Sequence, residues 1–261
     1  MDIATYKNDV WGREVLLGVS WDLLWLVIVA SFVAIALHAV FKAVRGRGER
    51  PSSAGERVRR HDEIDRLFHW IMAASVLALL ITGVLPIIGM QFAWLTIHWI
   101  SGLVLTVVVV FHIVRSLVWQ DLKSMWLSAD DLKELSDSDH KPAKYSLAQK
   151  GMHAAVTVLT LLVIASGLIM FAMIDTPWWD RTNSISEAAL GWMFFIHGLS
   201  TLALIAVIST PALIAVISLH IYFGLRPEKL FYTRSMIKGW ISTDELAANH
   251  DPERWAPDET A

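Results

Sequence analysis

Five long apolar runs, separated by polar segments, dominate the hydrophobic pattern of the chain. Each run is long enough to cross a bilayer core of about 30 Å, which takes roughly 20 helical residues. None alternates polar and apolar residues as the strands of a membrane β-barrel do, so the pattern predicts transmembrane helices. These helices are predicted near residues 21–42, 67–90, 93–118, 151–174 and 190–223.

Composition supports a membrane protein and narrows its chemistry. Of the 261 residues, 55% are hydrophobic and only 18% are charged, which is too apolar for an ordinary soluble domain. The chain has no cysteine, and this excludes disulfides, iron–sulfur clusters and covalently attached c-type haem. Any cofactor must therefore use other ligands.

The distribution of positive charge predicts the topology. The segments 42–66, 115–150 and 224–261 contain 19 of the 22 Lys and Arg residues. By the positive-inside rule the N-terminus lies outside and the C-terminus lies in the cytoplasm. The expected location is a bacterial or archaeal inner membrane, which the chain crosses several times. Tryptophans that would form an interfacial belt lie near the span ends: Trp21, Trp25, Trp94, Trp119, Trp178, Trp179 and Trp192.

Polar stretches divide the chain into four predicted parts. Residues 45–61, RGRGERPSSAGERVRRH, are basic and contain Gly, Pro and Ser, which predicts a flexible linker. The first apolar run is interpreted as a retained helix, with an uncleaved signal anchor as the alternative. The predicted parts are an N-terminal transmembrane helix (1–45), a basic cytoplasmic linker (46–64), a four-helix domain (65–225) and a cytoplasmic tail (226–261).

The four later helices form two related pairs. Segments of the first pair match segments of the second in the same order, which predicts a two-fold repeat. The matches are DRLFHW (65–70) with QKGMHA (149–154), LLITGV with VIASGL, WLTIHWISGL (94–103) with FFIHGLSTL (194–202), and FHIVRSL (111–117) with LHIYFGL (219–225).

Six histidines lie within the apolar runs, where an ionisable side chain is costly and indicates a function. The topology places His98 and His197 near the outer ends of their helices, and His69, His112, His153 and His220 toward the inner side. Facing histidines on a helix bundle are typical axial ligands of b-type haem. Hydrogen bonds across helices or a proton path are the alternatives. Small residues that would let helices approach a macrocycle are Gly83, Gly102, Gly167 and Gly198.

The histidine spacing fits two stacked haems in the first helix pair. His98 and His112 are 14 residues apart, which is about 21 Å of helix. His197 and His220 are 23 residues apart, because nine residues between them are written almost twice, as TLALIAVIS-TPALIAVIS at 201–218.

The duplication rotates and lengthens a straight helix, so both of its histidines could not face the same haem stack. Pro211 lies inside it, and proline breaks or kinks a helix. A break, bulge or bend near 208–213 is therefore predicted to restore both ligands. The alternative is that His220 is displaced and His112 or His153 becomes the inner ligand.

Several of these motifs together resemble the cytochrome b (gamma) subunit of membrane-bound formate dehydrogenases, over about residues 58–256. They are DRLFHW, TIHWISG, KYSLAQK, FIHGLS, LHIY and IKGWIS…HDPERW. The resemblance implies an all-α membrane protein, a four-helix di-haem cytochrome b bundle to which this chain adds one N-terminal transmembrane helix. It implies an electron-transfer subunit with two b-type haems, partnered by an iron–sulfur subunit and a molybdopterin catalytic subunit, that delivers electrons to membrane quinone.

The resemblance also implies roles for individual residues. His98 and His197 match the outer haem pair, and His69 and His220 match the inner pair beside the quinone. Ser146, where the family typically has Asn, and Gln149 match the quinone-binding segment, although Gln149 could simply cap its helix. His112 could contact a haem propionate or replace an inner ligand, and Arg115 could pair with a propionate.

Other functions fit the same sequence less well. A related complex, such as a thiosulfate or polysulfide reductase or a hydrogenase, would use the same kind of subunit. A haem-free, His-lined transporter is disfavoured because the repeats are parallel and the four-helix region lacks intramembrane Asp and Glu. A purely structural anchor leaves the repeated histidines unexplained. No nucleic-acid partner is expected.

Overall fold

The structure, a computed structural model, describes residues 2–45, 51–120, 122–137, 140–209 and 229–255. Its helices are α1 (Asp22–Arg45), α2 (Glu63–Val84), α3 (Trp94–Val118), α4 (Leu147–Phe171), α5 (Glu187–Ser209), α6 (Leu230–Lys238) and α7 (Thr243–Asn249). Short 3₁₀ helices span Leu122–Met125 and Asp131–Leu135, and the strands are β1 (Ala4–Asn8), β2 (Glu14–Val19), β3 (Arg57–Arg59) and β4 (Trp240–Ser242).

The predicted all-α membrane fold is confirmed. Among the described residues, four helices are long and apolar enough to cross a membrane, namely α2, α3, α4 and the Glu187–Ile205 part of α5. The first apolar run forms the 24-residue helix α1. Two small antiparallel sheets, β1 with β2 and β3 with β4, accompany the helices.

Capping residues set where two of the spans begin. Helix α2 begins at Glu63, four residues before the predicted apolar start, because the Asp62 carboxylate accepts a hydrogen bond from the Asp65 amide at 2.7 Å. Helix α4 begins at Leu147, after a polar cap that is described with the candidate site. Charged and polar first turns thus extend the helices beyond their apolar cores.

The chain divides into two compact units, Met1–Arg45 with Ala155–His220 (unit 1) and Gly46–Ala154 with Ile221–Ala261 (unit 2). In unit 1 the β1–β2 hairpin, which the sequence did not predict, packs β2 along α5. A Cβ on Gly198 would lie 2.5 Å from Val19, and one on Gly191 would lie 2.0 Å from the Leu16 carbonyl oxygen. These glycines let strand and helix backbones approach closely.

In unit 2, helices α2 and α3 pack as an antiparallel pair joined by a short turn at 85–93. Residues 57–59, within the predicted linker segment, form β3 and pair with β4 near the C-terminus. Helix α7 begins with a capping box in which Ser242 and Glu245 bond each other's backbone amides. The polar segments of this unit are therefore folded against one another.

Candidate functional site

His98 is held by a hydroxyl on the preceding helix of unit 2. Its Nδ1 lies 2.9 Å from Oγ1 of Thr82, which is 1% exposed. The Thr82 hydroxyl donates to the Ala78 carbonyl at 2.7 Å, so its oxygen accepts from the imidazole. Nδ1 of His98 therefore carries the proton, and the ring lone pair is on Nε2.

His197 has the same arrangement in unit 1. Its Nδ1 lies 3.1 Å from Oγ of the buried Ser166 and 3.1 Å from the Val163 carbonyl oxygen. A carbonyl can only accept, so Nδ1 is again the protonated nitrogen. The Ser166 hydroxyl donates to the Leu162 carbonyl at 2.6 Å, as Thr82 does to its own helix.

A glycine follows each of these hydroxyl residues and gives the imidazole room. A Cβ added to Gly167 would lie 3.3 Å from Cε1 of His197, and one added to Gly83 would lie 3.8 Å from Cε1 of His98. The glycines were predicted from the repeat, whereas the hydroxyls before them were missed. The signal was present in the matched segments LLITGV and VIASGL, where a Thr and a Ser occupy the same place. The other two predicted small residues, Gly102 and Gly198, face Leu79 and Val19 instead.

The two outer pockets fit axial ligation of haem by their donor chemistry. A metal-bound imidazole is neutral, ligates through one nitrogen and donates the hydrogen of the other to a neighbouring oxygen. His98 and His197 each have that outer-sphere hydrogen bond, made by the corresponding residue of each repeat. Both side chains are partly buried.

The histidines that were predicted for the inner side and that the structure describes lie among aromatic rings. In unit 2 the His112 ring stacks on Phe68 at 4.4 Å between centroids, with 15° between the planes. The His153 ring lies 6.4 Å from His112 at 69°. His69 makes an edge contact with Trp70. The structure thus brings His112 and His153 together, as two of the alternative inner residues.

Two predictions about the inner haem ligands, His220 as a ligand and a helix break at 208–213, lie mostly outside the described residues. His220 and Pro211 both lie in 210–228, and only the first two residues of the predicted break at 208–213 are described, as the helical end of α5. The choice between His220, His112 and His153 remains a prediction.

Ser146 and Gln149 form a reciprocal cap at the start of α4. The Ser146 amide donates to Oε1 of Gln149 at 2.9 Å, and the Gln149 amide donates to Oγ of Ser146 at 3.3 Å. This is the S-x-x-Q form of the capping box. The capping alternative for Gln149 therefore has a geometric basis, and the quinone role of both residues remains a prediction.

Arg115 forms ion pairs with carboxylates in unit 2. Its guanidinium bonds Asp62 and lies 3.0 Å from Asp65, which also accepts from the Gln120 amide at 2.8 Å. Burial opposes ionisation of Asp62, but the Asp65 amide and Arg115 outweigh it and hold the pKa of Asp62 below its ordinary value. A propionate contact by Arg115 stays a prediction, and it would have to compete with these carboxylates.

A buried cation in unit 2 was not anticipated from the sequence. Arg60 is 4% exposed and donates to the Lys144 carbonyl at 3.0 Å. Its guanidinium lies over the rings of Tyr145, Tyr232 and Trp255, at 5.9, 4.7 and 5.2 Å from their centroids. Among the described residues it has no carboxylate partner, and its Nε has no hydrogen-bond acceptor.

His250 completes this group, which we call the arginine cluster: Arg60, Tyr145, Tyr232, His250 and Trp255. His250 is 0% exposed, and its Nδ1 donates to the Ala143 carbonyl at 2.7 Å. Nε2 therefore accepts from Arg60 at 3.0 Å and lies 3.3 Å from the Tyr232 hydroxyl. Burial, and then the Arg60 charge, lower the pKa of His250 to about 4.

The same positive environment extends to the residues beside Arg60. Burial and the charges of Arg60 and Lys144 lower the pKa of His61 to about 3, so this residue is neutral at physiological pH. Burial and Arg60 also lower the pKa of Lys144.

Comparison with known families concerns most of the chain. Residues 60–239 match the family described as prokaryotic cytochrome b561. No curated protein matches the chain. The matched range begins at Arg60, contains the six histidines of the apolar runs and excludes the β1–β2 hairpin and α1.

Proposed function

The chain belongs to the prokaryotic cytochrome b561 family of membrane electron-transfer proteins, and on this premise we propose that it carries electrons from an outer donor through two b-type haems to membrane quinone. Membership in the family implies b-type haem in an integral membrane protein. We propose three further points: that there are two haems, that the electron donor lies on the outer face, and that the electron acceptor is quinone.

In the proposed outer haem site, His98 and His197 would each hold the haem iron through one imidazole. The observation that carries this assignment is the repeated Nδ1 contact, with Thr82 in one helix pair and Ser166 in the other. Each hydroxyl orients its ring and fixes the proton on Nδ1, so Nε2 would be the nitrogen that binds iron. Haem ligated in this way supplies a one-electron couple within the low-dielectric membrane.

For the inner haem site we propose His69 and His220, as the formate dehydrogenase resemblance implies. His112 and His153 are the alternative ligands if the duplicated segment displaces His220. Stacking on Phe68 gives the His112 ring a defined orientation, and this supports His112 as an alternative inner ligand. The haem count of single-histidine variants distinguishes these sets.

Quinone reduction is proposed at the start of α4, where Ser146 and Gln149 lie. Their reciprocal cap holds the two side chains in fixed positions at the helix end. A hydroxyl and an amide can each donate to a quinone carbonyl. With the C-terminus in the cytoplasm, reduction on this side would consume cytoplasmic protons, so electron transfer from the outer face would be electrogenic.

The proposed partners are an iron–sulfur subunit and a molybdopterin formate dehydrogenase on the outer face. The motifs shared with formate dehydrogenase gamma subunits support this assignment. Copurification from the native membrane tests it. Reduction of the chain's haem by formate in the isolated complex is expected. Reduction only by hydrogen, or oxidation of the pre-reduced haem by thiosulfate or polysulfide, would assign the chain to another oxidoreductase.

Haem content of purified variants tests the central proposal. His98→Ala and His197→Ala should each lose the outer haem and keep the inner one, while His69→Ala should lose the inner haem. His140→Ala, in a polar segment, serves as the control and should keep both. Haem extraction and the dithionite-reduced absorption spectrum report the result. Normal haem content in both outer variants would refute the assignment.

A further inference from the structure

The 3₁₀ helix Asp131–Leu135 turns its acidic side toward the protein. Residues three apart lie on the same side of a 3₁₀ helix, so Asp131 and Glu134 share a side. Asp131 is 0% exposed and accepts from Nζ of Lys150 at 2.8 Å. The Glu134 carboxylate accepts from the Leu147 amide at 3.1 Å, at the N-terminus of α4.

Its two leucines face away from the protein. Leu132 is 55% exposed and Leu135 is 77% exposed. These two residues are also three apart, so they share a second side of the same 3₁₀ helix. The nearby Trp126 is 66% exposed. A short helix in water buries its leucines and exposes its carboxylates. This helix does the reverse. Its outer surface is apolar, and contact of that surface with bulk water would be unfavourable.

Contacts with α4 fix the depth of this surface. Lys150 lies in the first turn of α4, and besides Asp131 its ammonium donates to the Trp126 carbonyl at 3.1 Å. The exposed apolar residues therefore lie level with the point where a membrane span begins. The segment also follows the end of α3 directly, where Val118 and Trp119 are exposed.

We propose that Trp126, Leu132 and Leu135 form an interfacial foot that inserts into the headgroup–acyl boundary of the bilayer. Its occupant is lipid, because the foot lies between the exposed end of one candidate span, α3, and the first turn of another, α4, which it contacts through Lys150. Trp is favoured at this depth, and leucines beside it gain from contact with acyl chains. Lys133, whose side chain is 63% exposed on the third side of the helix, pairs with the Asp130 carboxylate at 2.6 Å, and this pair would lie at the level of the headgroups.

The foot also sets where α4 begins in the membrane. Glu134 caps the α4 amide and Asp131 pairs with Lys150, so the buried acids couple the lipid-inserted leucines to the first turn of that helix. This surface is independent of the proposed electron-transfer function and of the direction of the chain across the membrane.

Spin labelling tests the foot, and the absence of native cysteine makes single labels straightforward. Leu132→Cys, Leu135→Cys and the control Lys133→Cys are labelled with a nitroxide in the full-length protein. The protein is placed in vesicles of phosphatidylcholine and phosphatidylglycerol. Collision rates with oxygen, which concentrates in lipid, and with a water-soluble nickel chelate are measured by electron paramagnetic resonance.

Labels at 132 and 135 should show an oxygen-to-nickel collision ratio several-fold above that of the label at 133. Equal nickel access at 135 and 133 would place the foot in water and overturn the proposal. Shielding from both reagents would also overturn it, since that result indicates a protein partner or a second copy. Each variant must keep the wild-type circular dichroism spectrum.

Trp126→Phe gives a second readout that needs no label. The fluorescence lost in this variant is the Trp126 contribution, and brominated phosphatidylcholine should quench it strongly while aqueous iodide quenches it weakly. The opposite order of quenching would contradict lipid insertion.

Discussion

The outer histidine pockets and the arginine cluster bury polar groups in two different ways. Each of the two imidazoles, His98 and His197, bonds one hydroxyl from the neighbouring helix, and His197 also bonds the Val163 carbonyl. The arginine cluster instead gathers a cation, a neutral imidazole and three aromatic rings from four distant segments. A repeated helix pair can provide the first arrangement locally, whereas the second exists only after the whole of unit 2 has folded.

The largest expected effect comes from filling one outer pocket. Gly167→Leu places carbon where even a Cβ would lie 3.3 Å from the His197 ring, so the imidazole must move. The haem-to-protein ratio should fall to that of a single-haem protein. Gly151→Leu on the same helix is the matched control, because nothing lies within 4 Å of a Cβ there. Equal haem loss in the two variants would show that the effect is not local to His197.

Substitutions in the arginine cluster should lower the free energy of unfolding and leave haem binding unchanged. His250→Ala opens a cavity at a fully buried site and leaves Arg60, Tyr232 and the Ala143 carbonyl without their partner. The expected loss is about 2–4 kcal/mol of unfolding free energy. Thermal unfolding in detergent measures it, with His140→Ala as the comparison. A retained melting temperature would mean that the cluster contributes little.

The arginine cluster should also make the unfolding free energy of the protein depend on pH in the acid range. His250 has a pKa of about 4 in the folded protein, below the 6.5 of an unperturbed histidine. Between these values the unfolded chain binds more protons, so stability falls as the pH is lowered from about 6.5 to about 4. His250 should contribute roughly 3 kcal/mol to this fall, and His61, whose pKa is about 3 in the folded protein, adds to the fall over the same pH range. His250→Gln should flatten this part of the stability–pH profile, and an unchanged slope would assign it to other groups.

The smallest expected effect is a shift in haem reduction potential, which should differ between variants of the His98 pocket and of the His197 pocket. Thr82→Val removes the acceptor of the His98 Nδ1 hydrogen in the described contacts, whereas Ser166→Ala leaves His197 with the Val163 carbonyl. A weaker hydrogen bond makes the imidazole a poorer donor to iron, so the outer haem potential should rise. We expect about 20–60 mV for Thr82→Val and less for Ser166→Ala.

Thr106→Val is the control for these potentials, because its hydroxyl bonds only the Gly102 carbonyl of its own helix among the described contacts. Redox titration of the α-band measures all three variants. A larger shift in Ser166→Ala than in Thr82→Val would contradict the reading of the Nδ1 contacts.

Much of the fold and part of the site were predictable from local sequence. The spans followed from hydropathy, and Gly83 and Gly167 followed from the repeat. The N-terminal hairpin was not predicted, because its position depends on glycines of α5 more than 170 residues further along the chain. The capping role of Gln149 was open in the sequence, since S-x-x-Q indicates a cap only once a helix is known to begin there.

The sequence by itself determined the membrane class and the helical positions of those predicted histidines that the structure describes, and it predicted the two-fold repeat. These properties are periodic along single segments, so they need no knowledge of neighbours. Only the tertiary structure decided which oxygen fixes each imidazole proton, that Arg60 meets His250, and that the leucines of the foot face outward. Those contacts join residues from separate segments, up to 190 positions apart, and a side chain's partner there depends on how the segments pack.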